Sequence, residues 1–329
     1  MIRFGIIGTG SITEEFIKCA SVCEDFSLHA IYSRTEERAK RFAAAYSVEH
    51  IFTDLHAMAA SDLIDAVYIA SPNSFHAEQT ILFLQNKKHV LCEKPIASNR
   101  NELTKMIHAA NENKVRLMEA MKSIYLPNFK AVQDNLYKIG KIRRFFGTFC
   151  KYSSRYDLYK AGNNPNTFNP EFSNGSLMDL GVYCMYPVIS LFGAPDRMMA
   201  NALFLESGVD GQGSICLQYK DMEAVLIHSK ITNSAIPTEI QGEKGSMMID
   251  KISAPGKIEI IYNTGEVEDL TQQQSDYSMF YEINEFLERI KSDSPESSAH
   301  SHMLSLQVMD VLDAVRKEIG LIYPADIHS

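Results

Sequence analysis

The sequence has no excess of basic residues. Its 41 Asp and Glu against 32 Lys and Arg leave a net charge of -9, which excludes nucleic acid as a partner, because phosphate backbones need a basic face. No apolar run reaches the roughly 18 residues of a bilayer span, so no membrane segment is expected. The N-terminus lacks the basic segment, apolar stretch and small-residue cleavage site of a secretory signal. The six cysteines, Cys19, Cys23, Cys92, Cys150, Cys184 and Cys216, contain no C-x-x-C pair. Metal binding is therefore not indicated, and buried reduced thiols are expected. There is no internal repeat and no low-complexity tract. What remains is an acidic chain of 329 residues, long enough for two cores. A cytoplasmic, soluble protein is expected.

What the sequence does contain is organised around Met1 to Thr13, MIRFGIIGTGSIT. Ile2, Phe4, Ile6 and Ile7 form an apolar run that reads as a buried strand. Gly8-Thr9-Gly10 breaks it, and helical spacing follows from Ile12 to Ala20. Strand, glycine turn and helix together make the phosphate-binding start of a dinucleotide fold. Gly8 turns at positive φ. Gly10 has no Cβ, so a pyrophosphate can approach the backbone, and the helix offers that anion its free N–H groups. Strand and helix patterns then alternate as far as Ala120, which predicts a parallel, doubly wound α/β sheet.

After Met121 the pattern changes. A helix is expected from Asn128 to Ile139, a long strand from Arg143 to Ser153, a polar loop from Ala161 to Asn174 and a helix from Gly175 to Phe192. Short alternating strands recur from Met198 to Tyr262 and read as antiparallel neighbours in one open sheet. Helices from Met279 to Lys291 and Ser301 to Ile319 close the chain, with a polar loop at Asp293 to Ser298. The reading is a dinucleotide-binding domain over residues 1–121 and an α+β substrate-binding and oligomerisation domain over residues 122–329. Phe204, Leu217, Tyr219 and Ile227 are assigned to the sheet face that helices leave uncovered. A large exposed apolar patch marks an interface, so a homodimer or higher homo-oligomer is expected.

Candidate cofactor residues cluster at strand ends, where doubly wound sheets bind dinucleotides. Gly8, Thr9, Gly10, Ser11 and Ile12 form the phosphate turn. At the end of the second strand, Ser33 and Arg34, with Arg38 a turn into the next helix, stand where an NAD-selective fold carries an acid. Two basic groups and no carboxylate favour the 2′-phosphate of NADP over NAD. Ser71, Pro72 and Asn73 end the fourth strand; His76 follows as a cofactor-side hydrogen-bonding residue or a surface histidine. Glu93 and Lys94 end the fifth strand, and Pro95 restricts the backbone of Lys94.

Gly8-Thr9-Gly10, Glu93-Lys94-Pro95, Glu119-Ala120 and the helix NGSLMDLGVYCMYPV together resemble the Gfo/Idh/MocA oxidoreductases over nearly the whole chain. The resemblance implies a Rossmann domain, an open antiparallel sheet behind it, and a role for Lys94 beside the nicotinamide. In the helix, Asp179 and Gly181 match the family pattern, and Tyr183 stands where histidine is common. That tyrosine resembles the branch of glucose–fructose oxidoreductase and dimeric dihydrodiol dehydrogenase, which handle sugars or vicinal diols with NADP. Tyr186 stands where many members have a further acid and points away from the inositol dehydrogenases. Asp179 and Tyr183 also share one helix face by spacing. The expectation is an NADP-dependent oxidoreductase interconverting a carbonyl and a secondary alcohol. Tyr183 would be the proton donor, Lys94 its electrostatic partner and Asp179 a positioning group. Arg155, Tyr156 and Asn169, in the loop before the helix, are candidate substrate contacts. The alternative is a dinucleotide-binding regulator without turnover.

Overall fold

Apolar strands separated by amphipathic helices give the first part of the chain its sheet. The computed structural model describes residues 1–292 and 301–327. β1 (Ile2–Ile7), β2 (Phe26–Tyr32), β3 (His50–Phe52), β4 (Ala66–Ile69), β5 (His89–Glu93) and β6 (Leu117–Ala120) pair in the order β3-β2-β1-β4-β5-β6. Every pair is parallel. β4 is buried along its length, as strands covered on both faces are. The strand order reverses between β1 and β4, and the crevice at that reversal is where such sheets bind dinucleotides. The sequence reading did not expect the helix Leu55–Ala60, capped by Asp54, whose carboxylate accepts from the N–H groups of His56 and Ala57, nor the short helices Tyr156–Lys160, read as loop, and Pro324–Ile327 of the second unit.

The chain divides into two compact units, Met1–Met121 with Ser275–His302 and Lys122–Gln274 with Met303–Ser329. The sequence reading had kept everything after Met121 in one domain. The segment returns because the helix Phe280–Lys291 has an apolar stripe, Ile283, Phe286 and Leu287, that the first unit buries. Phe286 meets Phe4 of β1 edge-on at 6.0 Å between centroids. Phe16 stacks on Tyr68 of β4 at 3.7 Å in the same core.

In the second unit β7 (Ile142–Cys150), β8 (Arg197–Phe204), β9 (Asp210–Gln218), β10 (Glu223–Ser229), β11 (Thr238–Gly242), β12 (Gly245–Ile249), β13 (Ile258–Tyr262) and β14 (Val267–Asp269) form one sheet. Its order is β14-β13-β12-β11-β7-β10-β9-β8. The strands from Met198 to Tyr262 are antiparallel wherever they meet, as expected. One pair departs from the pattern: β7 lies between β10 and β11, antiparallel to β11 and parallel to β10. A strand inserted between two oppositely running neighbours must be parallel to one of them.

Helices cover one face of this sheet, over Phe145, Leu217, Ala224, Leu226 and Ile240, all buried. Leu217 therefore belongs to the covered face, not the open one, because the residues of β9 that alternate outward are Ser214, Cys216 and Gln218. Tyr219 also leaves the open face: its hydroxyl donates to the Gly193 carbonyl at 3.1 Å. The outward register exposes the Cys216 thiol and leaves Cys150 half-buried, against the expectation that all six would be buried.

The expected helix Gly175 to Phe192 opens with a π-helical turn, Leu177–Gly181, and continues as α-helix over Val182–Phe192. With the short turns before it, the stretch Pro170–Phe192 is long and apolar enough to cross a membrane by length and composition. The sequence reading had found no such stretch. Within this unit 72% of its apolar window is buried, as in the core helix of a sheet protein. The polar loop before it contains 3-10 turns at Asn166–Phe168 and Pro170–Phe172. The loop expected at Asp293 to Ser298 lies outside the described residues.

Candidate active site

In the first unit the glycine turn is fixed by sterics. Gly8 has φ +108, and a Cβ there would lie 2.5 Å from the Ala70 carbonyl oxygen of the β4 end. Gly10 forms the N-cap of Ser11–Ala20 with no side chain capping it, and no atom would meet its Cβ within 4 Å. An open helix N-terminus beside a bare backbone fits a pyrophosphate. Thr13, at the position of the usual third glycine, is fully buried, so the helix packs closely on the sheet without it. Ser33 is buried at the end of β2, and Arg34 is exposed. Arg38 does not stand free beside Arg34. Its Nε donates to Thr9 Oγ1 at 2.5 Å and its Nη2 to the Thr9 carbonyl at 3.3 Å, bracing the turn.

Two loops that follow the C-terminal ends of β4 and β5 are tied by His76. Its ring is buried, with Nδ1 2.9 Å from the Pro95 carbonyl and Nε2 2.9 Å from the Ser71 carbonyl. Burial holds its pKa below the usual value, although both carbonyls favour a protonated ring. It is a clasp between loops and not a surface histidine. Ser71 Oγ donates to Gln79 at 2.7 Å, and Asn73 opens a 3-10 turn.

Lys94 is held through its neighbour. The buried Glu93 carboxylate accepts from Tyr68 Oη at 2.6 Å with one oxygen and from the Lys94 N–H at 3.2 Å with the other. The Lys94-Pro95 peptide is cis. Glu119, buried at the β6 end, accepts the Ile96 N–H at 3.2 Å.

In the second unit Asp179 sits in the π-turn, and Tyr183 follows in the α-helix, partly buried and edge-on to Phe149 at 5.4 Å. Asp179 pairs with Lys230, just past β10: Lys230 Nζ donates to Asp179 Oδ2 at 2.7 Å. Behind this pair lies Asp210. A Cβ on Gly175, whose φ is +146, would lie 2.0 Å from Asp210 Oδ1. Asp210 Oδ2 accepts the Leu177 N–H at 2.6 Å, anchoring the start of the helix. Burial raises the Asp210 pKa to about 7 and lowers that of His228 to about 3. The His228 ring lies between Gly181 and Gly213, and its Nδ1 is 2.9 Å from Ser176 Oγ.

Of the loop candidates, Tyr156 joins an aromatic cluster with Tyr152, Tyr159 and Phe168. Arg155 is exposed, and Asn169 caps the turn Pro170–Phe172 by accepting the Glu171 N–H at 3.0 Å. Lys230, Asn174, Asp210 and His228 were missed in the sequence. A signal for two of them was present: Ala224, Leu226, His228 and Lys230 alternate on one face, and a His and a Lys closing an apolar row are out of place.

Residues 2–121 match an oxidoreductase family with an NAD-binding Rossmann fold, and residues 136–248 match the GFO/IDH/MocA C-terminal domain. The chain belongs to the Gfo/Idh/MocA oxidoreductase family. It is 52% identical over 326 residues to a scyllo-inositol 2-dehydrogenase (NADP(+)) of Bacillus subtilis, covering 99% of each chain. It is 29% identical over 340 residues to a trans-1,2-dihydrobenzene-1,2-diol dehydrogenase of Xenopus laevis, covering 98% of this chain and 99% of the relative. Among solved structures it is similar to a 3-ketoreductase from Actinomadura kijaniata in complex with NADP and TDP-benzene. The TM-score is 0.86 at 25% identity, with 97% of this chain and 98% of the other covered. A relative half identical to this Gfo/Idh/MocA member is an inositol dehydrogenase, so Tyr186 gives no ground for setting inositol chemistry aside. Tyr186 is in fact buried, its hydroxyl donating to Ser305 Oγ at 2.9 Å.

Proposed function

We propose that this protein is an NADP-dependent dehydrogenase that interconverts a secondary alcohol and its ketone on a cyclic polyol of the scyllo-inositol type, with sugars and vicinal diols as the wider class. The observation that carries the reading is the 52% identity, over 99% of both chains, to an enzyme of that name. The phosphate turn, Gly8 to Ile12, would hold the pyrophosphate, with Arg38 bracing it. Ser33 and Arg34 would take the 2′-phosphate, and Ser71, Pro72, Asn73 and Glu93 would flank the cofactor at the strand ends, with His76 fixing their loops. The cofactor, when bound, accepts or returns the hydride. Lys94 stabilises negative charge developing on the substrate oxygen. Tyr183 gives that oxygen its proton in reduction and takes it back in oxidation. Asp179 accepts a hydrogen bond from a neighbouring hydroxyl, which a polyol or vicinal diol offers. Arg155, Tyr156 and Asn169 contribute to substrate recognition.

The test is NADPH formation by the purified protein with scyllo-inositol, myo-inositol, aldoses and a trans-diol. Oxidation of scyllo-inositol is expected, with kcat/KM for NADP exceeding that for NAD by about tenfold or more. Binding of NADPH without turnover of any of these substrates would make the chain a dinucleotide-binding regulator instead. A homo-oligomer through the open face of the second sheet is part of the same reading. Met199 is 69% exposed, Leu203 50% and Phe204 41%, a patch that association would bury. Light scattering that finds only monomer at micromolar concentration would refute it.

A further inference from the structure

Lys230 continues the inward row of β10 two residues beyond His228, and it is 1% exposed. A buried ammonium is costly unless it is paired and hydrogen-bonded. Its Nζ donates to Asp179 Oδ2 at 2.7 Å, lies 3.4 Å from Asn174 Oδ1, and sits 5.3 Å from the centroid of the Phe168 ring. The pair is lopsided: the lysine side chain is 2% exposed and that of Asp179 32%. The cation is sealed in the unit, and the anion reaches the surface on the helix that also carries Tyr183.

We infer that Lys230 is a positioning residue for the reaction, anchoring Asp179 and holding its carboxylate ionised as the acceptor for a substrate hydroxyl. This rests on the reading of Asp179 given above. A partly exposed aspartate has several rotamers open to it. A lysine fixed by an amide, an aromatic ring and its own burial leaves the carboxylate one orientation, and the fixed geometry is what a substrate hydroxyl meets. An opposite charge at this distance also favours the ionised carboxylate, by about 1–3 pH units.

Asp210, His228, Tyr323 and Tyr183, which pack around the pair, do not replace that charge. Asp210 lies under the helix start and His228 on β10 against Ser176. The Tyr323 hydroxyl donates to the Asn174 carbonyl at 3.0 Å, and Tyr183 stands one turn along from Asp179. Buried His228, with its pKa lowered to about 3, brings no positive charge near neutral pH. Asp210 and the two tyrosines bring none at any pH.

The test compares wild type, K230M and K230R, each also in a D179N background. With aspartate labelled at its side-chain carboxyl carbon, the Asp179 signal is the one that disappears in D179N. Its NMR titration midpoint is expected to rise by about one pH unit or more in K230M and to return towards wild type in K230R. In turnover of scyllo-inositol with NADP, K230M is expected to lower kcat/KM by about 10- to 100-fold, the range of one charge-assisted hydrogen bond. The acid limb of its pH profile moves upward with the NMR midpoint. In the D179N background K230M should add less than about twofold, because the two residues act as one unit. Equal midpoints in wild type and K230M, or a loss as large with D179N as without it, would leave Lys230 a packing residue and overturn the inference. If K230M does not fold, K230Q, which keeps a hydrogen-bonding end without the charge, is held to the same criteria. The NMR midpoint needs no turnover. A shifted midpoint in a protein that oxidises no polyol refutes the functional reading alone. Normal polyol oxidation with an unshifted midpoint refutes the inference alone.

Discussion

The two units handle charge by different means. In the first, the proposed cradle for an anion is backbone: a glycine turn at φ +108, an uncapped helix start and the ends of parallel strands. In the second, the charges are side chains buried against one another, Lys230 with Asp179, and Asp210 and His228 around the start of the same helix. A backbone site depends on shape and is damaged by any added Cβ. A side-chain site depends on pairing, and is damaged by loss of a partner or by a change of pH.

The largest effects should come from the two residues to which the proposed function gives the chemistry, Tyr183 in the second unit and Lys94 in the first. Tyr183→Phe is expected to lower kcat by about 10²–10⁴-fold, the range for loss of a general acid, with NADPH affinity nearly unchanged. Lys94→Ala is expected to do at least as much damage, since it removes the charge proposed to stabilise the oxyanion. Steady-state kinetics beside a cofactor titration would separate the two contributions. Near-normal kcat in Tyr183→Phe would move the donor role elsewhere.

Next in size are changes to the backbone cradle. Gly8→Ala places a Cβ 2.5 Å from a carbonyl oxygen in a left-handed conformation. Fluorescence titration of NADPH should show affinity falling by about tenfold or more, equivalent to roughly 1.4 kcal/mol. Unchanged affinity would mean that the turn does not hold the pyrophosphate. Arg34→Ala tests a side chain in the same unit. Loss of one charge-assisted hydrogen bond, about 1.5–3 kcal/mol, should reduce the preference for NADPH over NADH by about 10- to 100-fold.

The smallest effect probes the buried charges of the second unit through pH. The Asp210 pKa is raised from 3.8 to about 7, so its contribution to stability is full below about pH 4 and is lost as pH rises through 7. The His228 pKa is lowered from 6.5 to about 3, so its contribution is full above pH 6.5 and is lost as pH falls through 3. Between pH 4 and 6.5 the two oppose each other. Calorimetry should therefore find a nearly level Tm for wild type across that interval. Asp210→Asn removes one slope, so its Tm should climb with pH there and exceed that of wild type at alkaline pH. Parallel curves for the two proteins would contradict the assignment of Asp210 as the opposing group.

The first unit was legible because its signals are local. MIRFGIIGTGSIT carries strand, turn and helix within thirteen residues, and Ser33 and Arg34 mark the missing acid by position alone. Even there tertiary structure gave two residues contacts that the sequence did not show. Arg38 turned back to Thr9, and His76 became a clasp because two loops distant in sequence bring carbonyls to both its ring nitrogens. The second unit was legible in its strands and in the helix bearing Asp179 and Tyr183, since alternation and helical spacing are also local. The faces were harder: Leu217 and Cys216 differ by one position, and only register decides which is inside.

The sequence by itself determined the dinucleotide fold and the family, and it supplied the glycine turn and the trio Lys94, Asp179 and Tyr183 on which the proposed chemistry rests, because each is written in contiguous residues whose types sterics and charge constrain. Tertiary structure alone decided that Ser275–His302 returns to the first unit, that β7 enters its sheet between β10 and β11, and that Lys230 pairs with Asp179. Those outcomes depend on which apolar surfaces meet and on charges that pair only after they are buried. Neither is a property of any stretch of chain taken alone.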